Sequence, residues 1–395
     1  MSESTSASGS LGLPAVWAIA VGGMVGGGIF STLGVVISDA GHWAALSFVL
    51  GGLIAYATGH SLAALTVEKD EAGGVYTFLL DLGRVRLARF SAWVLLAGYV
   101  LTCAVYAYTF GAYLGHAIGG PAWLPQAMAA AAILTMTAIN LRGAGQAAGV
   151  EIAIVIAKLA ILAALAAFWL AHFEVQKLSI PQQPGLVGIV IGAASVFMAY
   201  EGFELIAYDY DEMADRKALM GKIMPLAISS AALIYVLVCL AVPMLTGTRA
   251  VIADGEVALS QAGEAALGMP GLIAVTVAAA LSTGSAINAT LFSSARLAGQ
   301  VARDGALPGA LGKRNSQGAP QGAVLALAAP ALALAVLGGL DALVQGASLV
   351  FLLVFGTLNA LALREGVGRR AITLPGAIFA FAALAILVAH LFGAI

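Results

Sequence analysis

Charge is what this 395-residue chain most lacks. Asp, Glu, Lys and Arg together make up 10% of it, against about 25% in a soluble domain. Cysteine is nearly missing too. Cys103 and Cys239 each sit in an apolar run, which excludes a disulfide framework and a Cys-x-x-Cys metal site. His60, His116, His172 and His390 show no metal-ligand spacing, and no cofactor motif appears. A net charge of −2 offers no electrostatic footprint for nucleic acid. In place of charge there is apolar side chain, at 61% of the residues. A soluble enzyme, a nucleic-acid binder and a disordered chain are all excluded. A polytopic membrane protein remains.

Eleven apolar segments are read, at about 14–37, 42–66, 90–118, 122–140, 146–172, 186–208, 219–245, 268–300, 321–339, 341–363 and 371–393. A bilayer-spanning helix needs roughly 20 residues, and a helix satisfies its backbone hydrogen bonds internally, as hydrocarbon demands. The expected fold is all-α and integral to the lipid bilayer. The third and eighth segments have length to spare for tilt or for extension past the lipid.

Met1–Ser10 is polar, rich in serine and free of basic residues. It lacks the positive flank of a signal peptide and reads as a cytoplasmic tail, residues 1–13. This choice puts Lys69, Arg84, Arg86, Arg89, Arg142, Arg216, Lys217, Lys222, Arg303, Lys313, Arg314, Arg364, Arg369 and Arg370 inside, with Arg296 near the inner end of the eighth span. Only Lys177 and Arg249 fall outside, as the positive-inside rule requires. Eleven spans leave the C-terminus outside. The longest connections are about 67–89, 209–218, 246–267 and 301–320. The first turns amphipathic after Gly74, which predicts a helix at the inner surface; a solvated loop is the alternative. With no organelle signal, a bacterial or archaeal plasma membrane is the expected location. Oligomeric state is not legible.

The first segment contains Gly22, Gly23, Gly26, Gly27 and Gly28 around Met24 and Val25, followed by Ile29 and Phe30. Each glycine costs a helix about 1 kcal/mol relative to alanine. One reading is close packing through the GxxxG pairs Gly22/Gly26 and Gly23/Gly27. The other is an unwound stretch, tolerated at this depth where it lines a cavity, whose free N–H groups attract a carboxylate. The sixth segment, Phe197 to Tyr208, is interrupted by Glu201, Gly202 and Glu204. Acids at mid-membrane face protein or water, and the simpler alternative is a helix end that reaches water. Breaks in the first and sixth segments point to a five-plus-five inverted-repeat transporter, with repeats at 14–172 and 186–363 and an additional helix at 371–393.

Lys158 has roughly a dozen apolar residues on either side, too many for snorkelling to an interface. It reads as a cation in the bundle interior, fixed or titrating. Glu151, two turns earlier, reads as a solvated residue near the inner end. The eighth segment carries Ser282, Thr283, Ser285, Asn288, Ser293 and Ser294. Small hydroxyls of this kind usually serve as packing contacts between helices, and Asn288 is the side chain most in need of a partner across helices.

These residues together resemble the amino acid–polyamine–organocation permeases. Gly22, Met24, Val25, Gly26, Gly28, Ile29 and Phe30 are similar to that family's first-helix signature, and Ala72-Gly73-Gly74-Val75-Tyr76 to its loop after the second helix. Asn140-Leu141-Arg142-Gly143 with Lys158-Leu159, Phe203-Glu204 with Asp211–Asp215, and Ser294-Ala295-Arg296 with Ala302–Pro308 resemble later motifs. The matches run in order over about residues 14–320. The resemblance implies a LeuT-type fold with broken helices 1 and 6. Substrate would lie between the breaks, its carboxylate on the N–H groups of Gly26, Gly27 and Gly28, its ammonium on carbonyls near Gly22 and Gly23 and around Phe197–Tyr200. It also implies that Lys158 replaces a sodium ion. The chain departs from the pattern in three places: eleven helices instead of about twelve, Gly27 where a hydroxylated residue or alanine is common, and Ala286 where many relatives carry a serine. Ser285 or Ser282 would then face the lysine.

The expected function is sodium-independent secondary transport of amino acids or related amines by alternating access, with proton symport or exchange. Lys158, Ser282, Ser285 and Glu204 are the expected coupling residues. Cys103, Tyr106, Met198 and Tyr200 would shape the pocket, and Glu201 would recognise a cationic group. An ion channel or ion-only carrier is the alternative, although nothing reads as a selectivity ring. An intramembrane enzyme would need a nucleophile paired with a base, and none is found.

Overall fold

A computed structural model describes residues 11–143, 148–171 and 185–394. Met1–Ser10, His172, Lys177 and the side chain of Glu151 lie outside the described residues. The helices in chain order are α1 (Leu13–Ala40), α2 (Ala44–Lys69), α3 (Val75–Asp81), α4 (Val85–Ile118), α5 (Leu124–Leu141), α6 (Ala148–Ala171), α7 (Leu186–Ser195), α8 (Leu205–Tyr208), α9 (Arg216–Thr246), α10 (Thr248–Ala253), α11 (Ala258–Leu267), α12 (Met269–Arg303), α13 (Gln321–Leu337), α14 (Leu340–Glu365) and α15 (Arg370–Leu391).

Each of the eleven apolar segments forms helix within its described residues, the sixth with an interruption. Among the described residues, nine stretches are long and apolar enough to cross a membrane. The first, Leu13–Lys69, holds both α1 and α2, joined by a 3-10 turn at Gly41–Trp43. The apolar helix α13 is shorter, at 17 residues. Helix ends follow local chemistry: Pro14, Pro125 and Pro270 sit in the first turns of α1, α5 and α12, where their missing N–H groups cost nothing. One apolar core runs through the bundle. Leu53, Phe90, Trp93, Leu233 and Leu337 are exposed around it, as lipid-facing side chains are.

The connection after α2 forms the short helix α3, with Val75, Tyr76, Phe78 and Leu79 buried. The connection at 246–267, read only as a long loop, contains α10 and α11. Its Gly255 packs directly on Gly34 of α1.

The expected break in the sixth segment is present. Helix α7 stops at Ser195, a 3-10 stretch covers Val196–Tyr200, a turn follows at Glu201–Glu204, and α8 resumes. Gly202 makes the turn at φ +116°, a conformation essentially reserved for glycine.

The expected break in the first segment is not. Helix α1 runs unbroken from Leu13 to Ala40, and none of Gly22, Gly23, Gly26, Gly27 and Gly28 has a positive φ. The reason is close packing. A Cβ at Gly23 would lie 3.2 Å from the Gly202 carbonyl, at Gly26 2.9 Å from the Ala286 Cβ, and at Gly28 2.6 Å from the Ala199 carbonyl. At Gly27 it would overlap the Tyr106 ring. The glycines let α4, α12 and the α7–α8 break approach the α1 backbone, which offsets their poor helix propensity.

Candidate functional site

A broken helix leaves backbone groups that must find partners away from water. Around the α7–α8 break, three of these backbone groups, the Ser195 and Ala199 carbonyls and the Met198 N–H, are met by side chains of other helices. Ser348 of α14 donates its hydroxyl to the Ser195 carbonyl (2.7 Å) and accepts from the Met198 N–H (3.0 Å). The Tyr200 hydroxyl donates to the Phe48 carbonyl of α2 (2.6 Å). The Tyr235 hydroxyl of α9 contacts the Ala199 carbonyl (2.7 Å) and the Met24 carbonyl of α1 (2.6 Å). Phe197 turns its ring to Phe355 of α14, with centroids 6.0 Å apart.

Two carboxyl groups stand on the break. Glu204 is fully engaged: one oxygen accepts from the Gly202 N–H (2.9 Å) and the other from the Tyr99 hydroxyl (3.3 Å). Glu201 is not. Its Oε2 receives a long contact from the Tyr106 hydroxyl (3.4 Å), and its Oε1 is buried without a partner. Among the described residues, Glu201 supplies the one carboxyl oxygen among the buried side-chain atoms left without a partner. Cys103 is buried one helical turn before Tyr106 on α4.

Lys158 is 2% exposed, and its ammonium donates to the Gly22 carbonyl at 2.9 Å. Lys158 thus lies in the bundle interior, as its apolar flanks predict. On α12, Ser282 is buried with its hydroxyl unpartnered. Ser285 is half-buried and engaged. Ala286 faces Gly26, where a larger side chain would collide with α1. Asn288 finds its cross-helix partner in Asn140 of α5 (2.8 Å).

The structure thus gathers Gly22 with Lys158, Gly23 with Gly202, and Gly27 with Tyr106 and Glu201. Tyr235, Ser348 and Tyr99 were missed from the sequence. A tyrosine in mid-span needs a hydrogen-bond partner, and that requirement was the one available signal for Tyr99 and Tyr235.

Charged side chains pair with one another at the basic end of the bundle. Asp70 receives Arg216 (3.0 Å), Lys217 (3.2 Å) and the Tyr210 hydroxyl (3.1 Å), and Arg216 also meets Asp211 (2.8 Å). Desolvation pushes the Asp70 carboxyl upward, but its hydrogen bonds with Lys217 and Tyr210 and the Arg216 charge hold it below the usual range. The Tyr76 hydroxyl donates to Asp304 (3.0 Å), linking α3 to the end of α12. Asp209, just past α8, is pushed up to about 6 by burial and then by the Glu212 charge, with Arg296 opposing. At the opposite end, Ser195 donates to Asp39 (2.9 Å) and Tyr108 to Glu256 (2.5 Å).

The described residues are helical, with nine stretches apolar enough to cross a membrane, and a broken helix seated on a glycine face is an arrangement that fits the transporter class. The chain is a member of the amino acid permease family, whose sequence profile matches residues 11–395. It is 29% identical over 364 residues to the inner membrane transport protein YbaT of Escherichia coli, covering 90% of this chain and 83% of that one. It is 29% identical over 320 residues to the methylthioribose transporter of Bacillus subtilis, covering 75% and 67%. It is 24% identical over 304 residues to the serine/threonine exchanger SteT of the same organism, covering 75% and 69%. The protein is a membrane transporter, not an enzyme.

Proposed function

We propose that the chain carries amino acids or closely related amines across a prokaryotic plasma membrane by alternating access, without sodium, in proton symport or in exchange. The observation that carries this reading is the α7–α8 break seated on Gly23 and Gly28 of α1, with the Lys158 ammonium on the carbonyl of the adjoining Gly22. A protein cation at that point supplies the positive charge that a sodium ion would otherwise bring.

Substrate binds between α1 and the break, against Gly22, Gly23, Met24, Gly26, Gly27, Gly28 and Ile29 on one side and Phe197, Met198, Tyr200, Glu201 and Gly202 on the other. Cys103 and Tyr106 form the third wall. In the continuous α1, the N–H groups of Gly26, Gly27 and Gly28 belong to the helix ladder. Binding of a substrate carboxylate therefore opens α1 at the glycine run, where the low helix propensity of glycine makes opening easiest. Lys158, Ser282, Ser285 and Glu204 couple that opening to ion or proton movement. The two five-helix repeats, 14–172 and 186–363, rock about this site, with residues 371–393 as an added helix and the N-terminus in the cytoplasm.

The test is uptake into liposomes holding the purified chain. Labelled alanine, leucine, arginine and putrescine are offered under an imposed pH gradient, without sodium, with and without internal substrate. Gradient-driven uptake into empty liposomes establishes symport. Uptake only against internal substrate establishes exchange. No uptake of any compound by folded protein transfers the site to an ion-only carrier.

A further inference from the structure

We propose that the Tyr235 hydroxyl stands in for a substrate ammonium at the seam between α1 and the α7–α8 break, and so allows the carrier to reorient without cargo. The inference rests on the transport reading above and goes beyond it, because it assigns the choice between net movement and obligate exchange to one residue.

Tyr235 is fully buried in the middle of α9. Its oxygen lies 2.6 Å from the Met24 carbonyl and 2.7 Å from the Ala199 carbonyl. Both distances are those of a full hydrogen bond, but a phenol has a single proton to give. Two carbonyl oxygens therefore converge on one donor that can serve them only in turn or by sharing. Such a point suits a group with several N–H donors and a positive charge, and an ammonium offers three. The room there is tight. A Cβ at Gly28 would come within 2.6 Å of the Ala199 carbonyl and 2.8 Å of the Tyr235 hydroxyl. The ring is held edge-on by Tyr200 (5.1 Å) and Phe48 (5.7 Å), so the hydroxyl stays aimed at the seam.

Without Tyr235, the Met24 carbonyl would keep its helical partner, the Gly28 N–H, but the Ala199 carbonyl would lose its hydroxyl donor away from water, and the seam could not close cheaply. With Tyr235 present, the seam closes whether or not an amine is bound. An arriving ammonium takes one carbonyl and leaves the other to the hydroxyl. Cargo-free closure is the step that net transport requires and exchange does not. Tyr235 is thus a positioning residue whose loss acts on one transport mode.

The experiment uses the full chain in liposomes and whichever of labelled alanine, leucine, arginine or putrescine the wild type moves fastest. Net uptake into substrate-free liposomes and exchange into loaded ones are measured side by side. Wild type is expected to do both. Tyr235→Phe is expected to lose net uptake by roughly tenfold or more while exchange changes less than about threefold, since the substrate itself supplies the missing donor. Tyr113→Phe removes another buried hydroxyl that contacts an α1 carbonyl, Phe30, at 3.4 Å, and is expected to leave the ratio of the two modes unchanged. An equal fall of both modes in Tyr235→Phe overturns the proposal. So does a wild type that moves substrate only by exchange, a result that needs no variant to fold. Movement of no probe in either mode overturns the transport reading and this inference with it.

Discussion

Lys158 and Gly22 are joined by a 2.9 Å hydrogen bond from the side-chain ammonium to the main-chain carbonyl. The bond ties the middle of α6 to the start of the glycine run in α1, and both partners are buried. A helical carbonyl that accepts a second, charged donor is biased toward leaving its own ladder, so the lysine sits where α1 is easiest to open. Lys158→Ala is expected to lower uptake by roughly tenfold or more, because charge-assisted hydrogen bonds are worth about 1.5–3 kcal/mol. Wild-type uptake should be the same in sodium and in choline buffers. Strict sodium dependence of the wild type would remove the lysine from the coupling role.

Glu201 differs from Glu204 in having an oxygen left over. Glu204 is held by Tyr99 and the Gly202 N–H, whereas Glu201 Oε1 has no partner. A buried acceptor in this condition suits a substrate cation. Glu201→Gln is expected to weaken uptake of arginine or putrescine by roughly 30-fold, the cost of removing one member of a buried charge pair, and to alter alanine or leucine uptake little. Competition assays on the purified variant measure both. Unchanged cationic uptake would sink the assignment.

The same contrast shows how far the sequence carried. Eleven segments, the break at Glu201–Glu204, the interior Lys158 and the Asn288 cross-helix bond were all legible, because each is a polar or glycine intrusion into hydrocarbon with few ways to be satisfied. The α1 glycines were not decidable from the chain. Close packing and unwinding both call for glycine, and only the positions of Tyr106, Ala199 and Ala286 in three dimensions choose between them. Ser348 was invisible for a related reason, and Tyr235 was signalled only by a tyrosine's need for some partner. Each lies in an ordinary apolar run, and its role depends on which backbone group a distant helix brings near. Helices α10 and α11 were missed because their short, mixed sequences lack a membrane-length apolar period.

Gly27 and Tyr106 offer a direct test of the packing account. A Cβ at Gly27 would overlap the tyrosine ring, so Gly27→Ala must displace either α1 or the ring. Overpacking of this kind typically costs about 1–3 kcal/mol, enough to lower the melting temperature in detergent measurably. Adding Tyr106→Ala to Gly27→Ala should restore a part of that loss beyond additivity, as expected for residues in contact. Strict additivity of the two changes would show that the glycine is not there for the ring.

Asp209 gives the protein a calculable response to pH. The carboxyl lies just past α8, outside the membrane-spanning stretch, and burial followed by the Glu212 charge raises it from 3.8 to about 6 despite Arg296. The folded state therefore binds the proton more tightly than the unfolded state does. By linkage, the stability held by the protonated group is complete below the unfolded value and is lost as pH rises through the folded one. Asp209→Asn fixes the side chain in its uncharged form. The variant is expected to match wild type in melting temperature near pH 4 and to exceed it above pH 7, with the gap opening between about pH 4 and 6. Melting curves of the two proteins in detergent across that range measure it. A gap of the opposite sign at neutral pH would mean that the ionised carboxylate is held by Arg296 more strongly than burial and Glu212 disfavour it, and that the pair serves as a charged lock at the basic end.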